Sequence, residues 1–373
     1  MPETSWTAAL YLENGHLFLG RGFGAKRALG GEAVFNTGMA GYQEIFSDPS
    51  YSHQVVIMTN PQLGNYGVNS QDVESSQLLL KGVVAREYFP QSSNWRAEKS
   101  LGDYLAESEV PGISEIDTRL LTQILREEGA QRSVIFPVED ETPDHLKTKA
   151  KQFLQQVPPM EGLDLVSQVS CKEPWEFEPQ KWRGQNTLGR VVVYDFGVKW
   201  NILRSLSRRG FRVQVVPYQT PASEALKYNP ATVCLSNGPG DPAQVPHVVS
   251  EIQSLLGKVP MLAICMGHQL MARALGGATY KLKYGHHGVN HPVKDLLTGR
   301  VLITSQNHGF AVRPESLPQK EVQVSLVNLN DKTLEGFVSR ALKVSSIQFH
   351  PEAKPGPNDA QFLFDNFLKE FIT

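Results

Sequence analysis

The sequence predicts an α/β protein in two parts, an N-terminal β-rich α+β domain followed by a doubly wound, mostly parallel sheet. Three observations carry this. Short alternating apolar runs broken by turn residues dominate the beginning of the chain. From Arg190 onward, short runs that read as buried on both faces alternate with helical patterns, the order that produces parallel strands. Between them, residues 157–189 lose periodicity and gain Pro, Gly, Trp and charge, the composition of a linker. The expected division is therefore 1–156, a linker at 157–189, and 190–373, and a chain of 373 residues is long enough for two cores.

Taken in order, AALYLENGHLFLGRGFG places two alternating runs around Glu13-Asn14-Gly15, a hairpin signal. EAVFNT, HQVVIMTN and QLLLKGVVAREY read as further strands. Asp117 is positioned to cap a helix through TRLLTQILREEG, with Leu120, Leu121, Ile124 and Leu125 on one face and Gly129 as its stop. Thr142 caps a second helix from Pro143 to about Gln156. In the linker, Trp175 and Trp182 are expected to cover apolar surface.

The second part offers four strand candidates, RVVVYDF, RVQVVPY, ATVCLSN and PMLAICMG, separated by the helical patterns NILRSLSRRG and VPHVVSEIQSLLG. Hairpin-like runs follow in GRVLITSQNHGFAV and EVQVSLVNLNDKTLEGFVS, then a strand KVSSIQFH. A last helix, DAQFLFDNFLKEFI, carries Phe362, Phe364 and Phe367 as core residues.

Composition narrows the function. With 40% hydrophobic and 20% charged residues and a formal net charge of -2, nothing marks a nucleic-acid binder. Cys171, Cys234 and Cys265 are odd in number and widely spaced, which fits a reducing cytoplasm rather than a disulfide framework. MPETSWTAALYLENG lacks a basic region followed by an apolar core, and no apolar run approaches membrane-spanning length.

Parallel sheets bind ligands at the carboxyl ends of their strands, and two motifs fall there. In PMLAICMGHQL an apolar run ends in Cys265 and leads directly into a helical pattern, with the small residues Ala263 and Gly267 on either side. This is a nucleophile elbow, where the side chain projects from a sharp strand-to-helix turn and the following N–H groups meet developing negative charge. The alternative is a buried structural cysteine. SNGPGDP, after the ATVCLS strand, supplies Gly238 and Gly240, either as a tight turn using positive φ or as a backbone cradle completing an oxyanion hole with the N–H of Met266.

A cysteine is only a few per cent thiolate at neutral pH, and a neighbouring imidazole changes that. His350-Pro351-Glu352 offers one: in an extended segment Glu352 would share a face with His350 and orient its ring. The histidine-rich stretch Tyr284–His291 has no carboxylate or thiol at ligand spacing, so polar contacts to a neighbouring domain or subunit are expected there and no metal. GRGFG does not lead from a strand into a helix, so it gives no dinucleotide site.

With these motifs in hand, the C-terminal part resembles the class I (triad) glutamine amidotransferases, through SNGPGDP, AICMGHQ and HPE. The whole chain is similar to carbamoyl-phosphate synthase small subunits, through FNTGMAGYQEIFSDPSYS, GNYGVN, ISEIDTRLLT, VVYDFGVKWNILR, KYGHHGVNHPV, SQNHGFAV and HPEAKPGPNDAQFLFD. The resemblance implies that Cys265 attacks the side-chain amide of L-glutamine, His350 carries the proton to departing ammonia, and Glu352 orients His350. Gly238 and Met266 would furnish oxyanion donors, and Ser50, Gly240, Gln269, Asn307, Gly309 and Phe310 stand where the family grips glutamine.

It further implies a heterodimer, able to assemble further, with a large subunit that receives the ammonia and uses ATP, Mg and bicarbonate to make carbamoyl phosphate for arginine and pyrimidine synthesis. No cofactor is expected in this chain, where no Walker A loop occurs. Feeding another synthase, for anthranilate or guanylate, is disfavoured because those glutaminase units usually lack the N-terminal domain. A silent regulatory subunit is disfavoured by the presence of Cys265, His350 and Glu352 together. Three positions depart from the common family pattern: Ala263 and Val289 replace glycine and Met266 replaces leucine.

Overall fold

A computed structural model describes residues 6–139, 141–178 and 188–372. The chain divides into two compact units, Met1–Met160 with Lys283–His287, and Glu161–Leu282 with Gly288–Thr373.

In the first unit, Trp6–Leu12 and Leu17–Gly24 form the expected antiparallel hairpin, with Gly15 at φ 97 in the turn. They close into a barrel with Pro111–Ser114, Gly82–Val84, Gln54–Met58, Leu29–Asn36 and Gln131–Pro137. Closure removes the open edges that a sheet would otherwise expose. From Ala8 onward Trp6–Leu12 is buried on both faces: Ala8, Leu10 and Leu12 enter one apolar cluster, Ala9 and Tyr11 another. Of QLLLKGVVAREY, only Gly82–Val84 and Glu87–Tyr88 are strands.

Asp117 caps the helix Thr118–Glu128, its carboxylate accepting from Leu120 N at 2.9 Å, and Gly129 ends it at φ 101. Leu121, Ile124 and Leu125 are buried as expected, but Leu120 is 45% exposed. The reason is angular, since Leu120 lies about 100° round the helix from Leu121, off the buried stripe. Thr142 caps Pro143–Leu154 through His145 N.

The second unit is a ten-stranded sheet. Arg212–Pro217, Arg190–Asp195, Thr232–Leu235, Met261–Ile264 and Val344–Ile347 run parallel in that order. Beyond Val344–Ile347 the antiparallel strands Leu334–Ser339 and Gln323–Asn328 extend it. The parallel strands bury alternate residues on opposite faces. Val192, Val233 and Met261 pack with Val248 and Ile252 of the helix Pro246–Leu255. Val191, Val193, Leu262 and Ile264 pack with Ile202 of Trp200–Arg208 and with Phe364 and Phe367 of Phe362–Phe371. Helices therefore cover both faces, which is why the strands read as continuous apolar runs.

Within the stretch read as a linker, Val166–Val169 makes one helical turn and Trp175–Phe177 pairs antiparallel with Arg212–Pro217 as an edge strand. Trp175 packs on the apolar face it borders, and alternation over three residues is too short to announce a strand in sequence. Trp182 lies outside the described residues. Among the described residues, no helix is long and apolar enough to cross a membrane.

Candidate active site

The site is built where the central parallel strands end. Met261–Ile264 stops at Cys265, and the helix Met266–Ala274 begins at the next residue. Cys265 has φ 54 and ψ -106, a conformation that L-residues adopt at a cost of order 1–3 kcal/mol and that surrounding structure must impose. Packing does so here. Cys265 N donates to Ile347 O at 2.8 Å, and Gly267 N donates to Ser236 O at 2.9 Å. A Cβ on Gly267 would stand 2.3 Å from Leu235 O, so the backbones can approach this closely only with glycine. Ala263 points away from this crowding into the apolar cluster of Val233 and Met261, which accommodates its methyl group.

The two glycines of SNGPGDP differ. Gly240 has φ 89 and needs glycine for its conformation. Gly238 needs it for space, since a Cβ there would meet Phe196 O at 2.1 Å.

His350 and Glu352 do face one another, His350 Nδ1 lying 2.7 Å from Glu352 Oε1, but an extended segment is not the cause. The strand ends at Ile347, and Ala353 N donates to His350 O at 3.1 Å, closing a turn across Pro351 and Glu352. Proline fixes φ at the first central position of such a turn, and the turn folds Glu352 back beside the ring. Both side chains are sealed from solvent.

Sequence reasoning missed a third member. Lys199, 2% exposed, precedes the helix Trp200–Arg208 and places Nζ 3.0 Å from Glu352 Oε1 and 2.8 Å from Ala353 O. In sequence Lys199 lies between Val198 and Trp200, four residues past the strand Arg190–Asp195 and inside the stretch VVYDFGVKWNILR. Burial works to raise the Glu352 carboxyl, but the Lys199 and His350 charges hold it well below the usual carboxylate range. Burial also works to lower His350, and Lys199 adds to that. The Glu352 charge, added to the side-chain interactions of His350 with Glu352 and Cys265, outweighs both and keeps the imidazole above its ordinary value.

Cys265 contributes to that rise in His350. The hydrogen bond its thiol makes goes to Asn307 O at 3.6 Å, while His350 Nε2 has no hydrogen-bond partner. The ring is thus held at Nδ1, with Nε2 free for a reacting group.

Gln269, on the first turns of the Cys265 helix, donates from Nε2 to Phe310 O at 2.9 Å and Gln348 Oε1 at 3.2 Å. Asn307, Gly309 and Phe310 follow one another on Val301–Val312, and Lys281 Nζ stands over the Phe310 ring. Gly309 has open space, the nearest atom to a Cβ there being Lys281 Nζ at 3.8 Å. Ser50 lies in the first unit, on the turn Pro49–Tyr51 capped by Asp48. The segment Lys283–His287 also belongs to the first unit, where His287 O accepts from Thr37 N. Val289 packs against Gly356, whose φ of 119 and crowded Cβ position require glycine.

The family model described as glutamine amidotransferase class-I matches residues 192–370, and that of the carbamoyl-phosphate synthase small chain, CPSase domain, matches residues 10–135. The chain is 47% identical to a carbamoyl phosphate synthase small chain, chloroplastic, of Arabidopsis thaliana, covering 100% of this chain and 86% of that one. It is 48% identical to a carbamoyl phosphate synthase small chain of Akkermansia muciniphila, covering 97% and 96%. With that of Aquifex aeolicus it shares 47% identity over 97% of this chain and 98% of the relative. Agreement of both domains along their whole length shows that the chain belongs to the carbamoyl phosphate synthase small chain family.

Proposed function

We propose that this chain is the glutamine-hydrolysing subunit of a carbamoyl phosphate synthase and that Cys265, His350 and Glu352 carry the hydrolysis. The observation that carries this reading is the elbow conformation of Cys265 combined with a His350 ring anchored at Nδ1 and open at Nε2. In the reaction, Cys265 gives its thiol proton to His350 Nε2 and Sγ adds to the side-chain amide carbon of L-glutamine. The carbonyl electron pair moves onto oxygen, where the N–H groups of Gly238 and Met266 receive it. Collapse breaks the C–N bond, and His350 Nε2 gives its proton to the leaving nitrogen, so ammonia departs and a γ-glutamyl thioester remains. Water then adds to the thioester, passing its proton back to His350. Loss of the sulfur, which takes that proton back from His350, releases glutamate and restores Cys265.

Gln269, Asn307, Gly309 and Phe310, together with Gly240, hold the glutamine, and the family resemblance assigns Ser50 to the same set. The ammonia passes to a large subunit, which supplies the ATP and Mg sites and uses bicarbonate to form carbamoyl phosphate. The pair forms a cytoplasmic heterodimer able to assemble further. Trapping tests the reading. Acid quenching of the complex during turnover of radiolabelled glutamine is expected to leave label on wild-type protein as a base-labile thioester at Cys265. Absence of label while the complex releases glutamate would overturn the covalent route.

A further inference from the structure

We infer that Asn201 is a positioning residue for this reaction, holding the backbone turn that aims Glu352 at His350; the inference rests on the triad reading above. Asn201 sits in the first turn of Trp200–Arg208, 2% exposed, and its Nδ2 donates to Glu352 O at 2.6 Å. It acts on the main chain of Glu352. Lys199, two residues before it, acts on the carboxylate and on Ala353 O. Two successive carbonyls are thus gripped by two side chains from one helix start.

That grip falls on backbone that would not choose its own conformation. Ala353 has φ 58 and Lys354 φ 54, consecutive non-glycine residues in the left-handed region. L-residues reach this region only at a cost, so the turn persists only where its surroundings over-determine it. The Glu352 carbonyl begins this strained stretch, and its direction fixes the peptide plane between Glu352 and Ala353. Without the Asn201 donor, that buried carbonyl loses its partner and the turn can rotate toward an ordinary conformation. Glu352 Oε1 then leaves its 2.7 Å contact with His350 Nδ1. Because Asn201 makes its contact at the backbone of Glu352, the effect reaches catalysis through ring orientation rather than glutamine binding.

Two variants test this, Asn201→Ala and the milder Asn201→Ser, which retains a short donor and a small volume. In complex with the large subunit, Asn201→Ala is expected to lower kcat for glutamate release about 10- to 100-fold, the range for a misplaced reacting group, with KM for glutamine unchanged. Asn201→Ser should fall between it and wild type. In the free full-length chain, the His350 Nδ1 proton resonance, which reports the hydrogen bond to Glu352, is expected to shift or broaden in both variants. A folded variant with wild-type kcat and an unchanged His350 resonance would overturn the inference, as would a loss confined to KM. If the wild-type complex releases no glutamate, the functional reading fails separately, and the His350 resonance alone decides the positioning role.

Discussion

Lys199 Nζ stands 3.0 Å from Glu352 Oε1, with both side chains sealed from solvent, so the acid that orients His350 is itself half of a buried ion pair. Removing one partner of such a pair leaves an uncompensated buried charge. Lys199→Met is therefore expected to destabilise the chain by about 3–5 kcal/mol in urea unfolding. Replacing both residues, Lys199→Met with Glu352→Leu, should recover much of that stability without restoring glutamine hydrolysis. A single variant as stable as wild type would show that the pair is not the buried contact described.

The His350–Glu352 pair also sets a pH window. Glu352 is held down to about 2 from an ordinary 4.5, so its contribution is complete above pH 4.5 and lost as pH falls toward 2. His350 is raised to about 10 from 6.5, so its contribution is complete below pH 6.5 and lost as pH rises toward 10. Stability from this pair is greatest between those ordinary values. Comparing wild type with His350→Gln across pH, the difference in unfolding free energy should shrink steadily above pH 6.5. A difference that grows with pH would contradict the assignment of the proton to His350.

The glycines around the site divide by what surrounds them. Gly267→Ala and Gly238→Ala would push a methyl group to within 2.3 and 2.1 Å of backbone oxygens. Each is expected to cost about 1–3 kcal/mol or more and to impair glutamine turnover. Gly309→Ala has open space and should melt with wild type, changing KM for glutamine if its backbone grips the substrate. Equal melting of all three would refute the close approaches at Gly267 and Gly238.

Leu120 and Leu121 make a simpler contrast in the first unit. Leu121, fully buried, should lose about 2–5 kcal/mol on change to alanine, whereas the exposed Leu120 should lose little. Thermal unfolding of the two variants checks this, and similar losses would place both on the buried face.

These residues also mark what sequence could and could not reveal. Cys265 was legible because its turn needs Gly267 beside it and an apolar strand before it, all within a few adjacent positions. Four of the five parallel strands were legible because burial on both faces leaves apolar runs; Val344–Ile347, with Ser345 and Ser346 inside it, was legible only as a strand. Barrel closure was not, since Pro111–Ser114 carries proline and glycine in a strand of four residues and Gln131–Pro137 opens on polar side chains. His350 and Glu352 were expected to meet, but through extended geometry; Pro351 instead turns the chain. Lys199 and Asn201 escaped notice because their partners are distant in sequence and no periodicity connects a buried lysine with the carboxylate it neutralises.

The most direct test of the account is glutamate release from glutamine by wild-type and Cys265→Ser protein, each with and without the large subunit, ATP and bicarbonate. Release is expected to depend on Cys265 and to rise when the partner and its substrates are present. Wild type and Cys265→Ser releasing glutamate equally, or neither doing so while the complex still makes carbamoyl phosphate from ammonia, would contradict it.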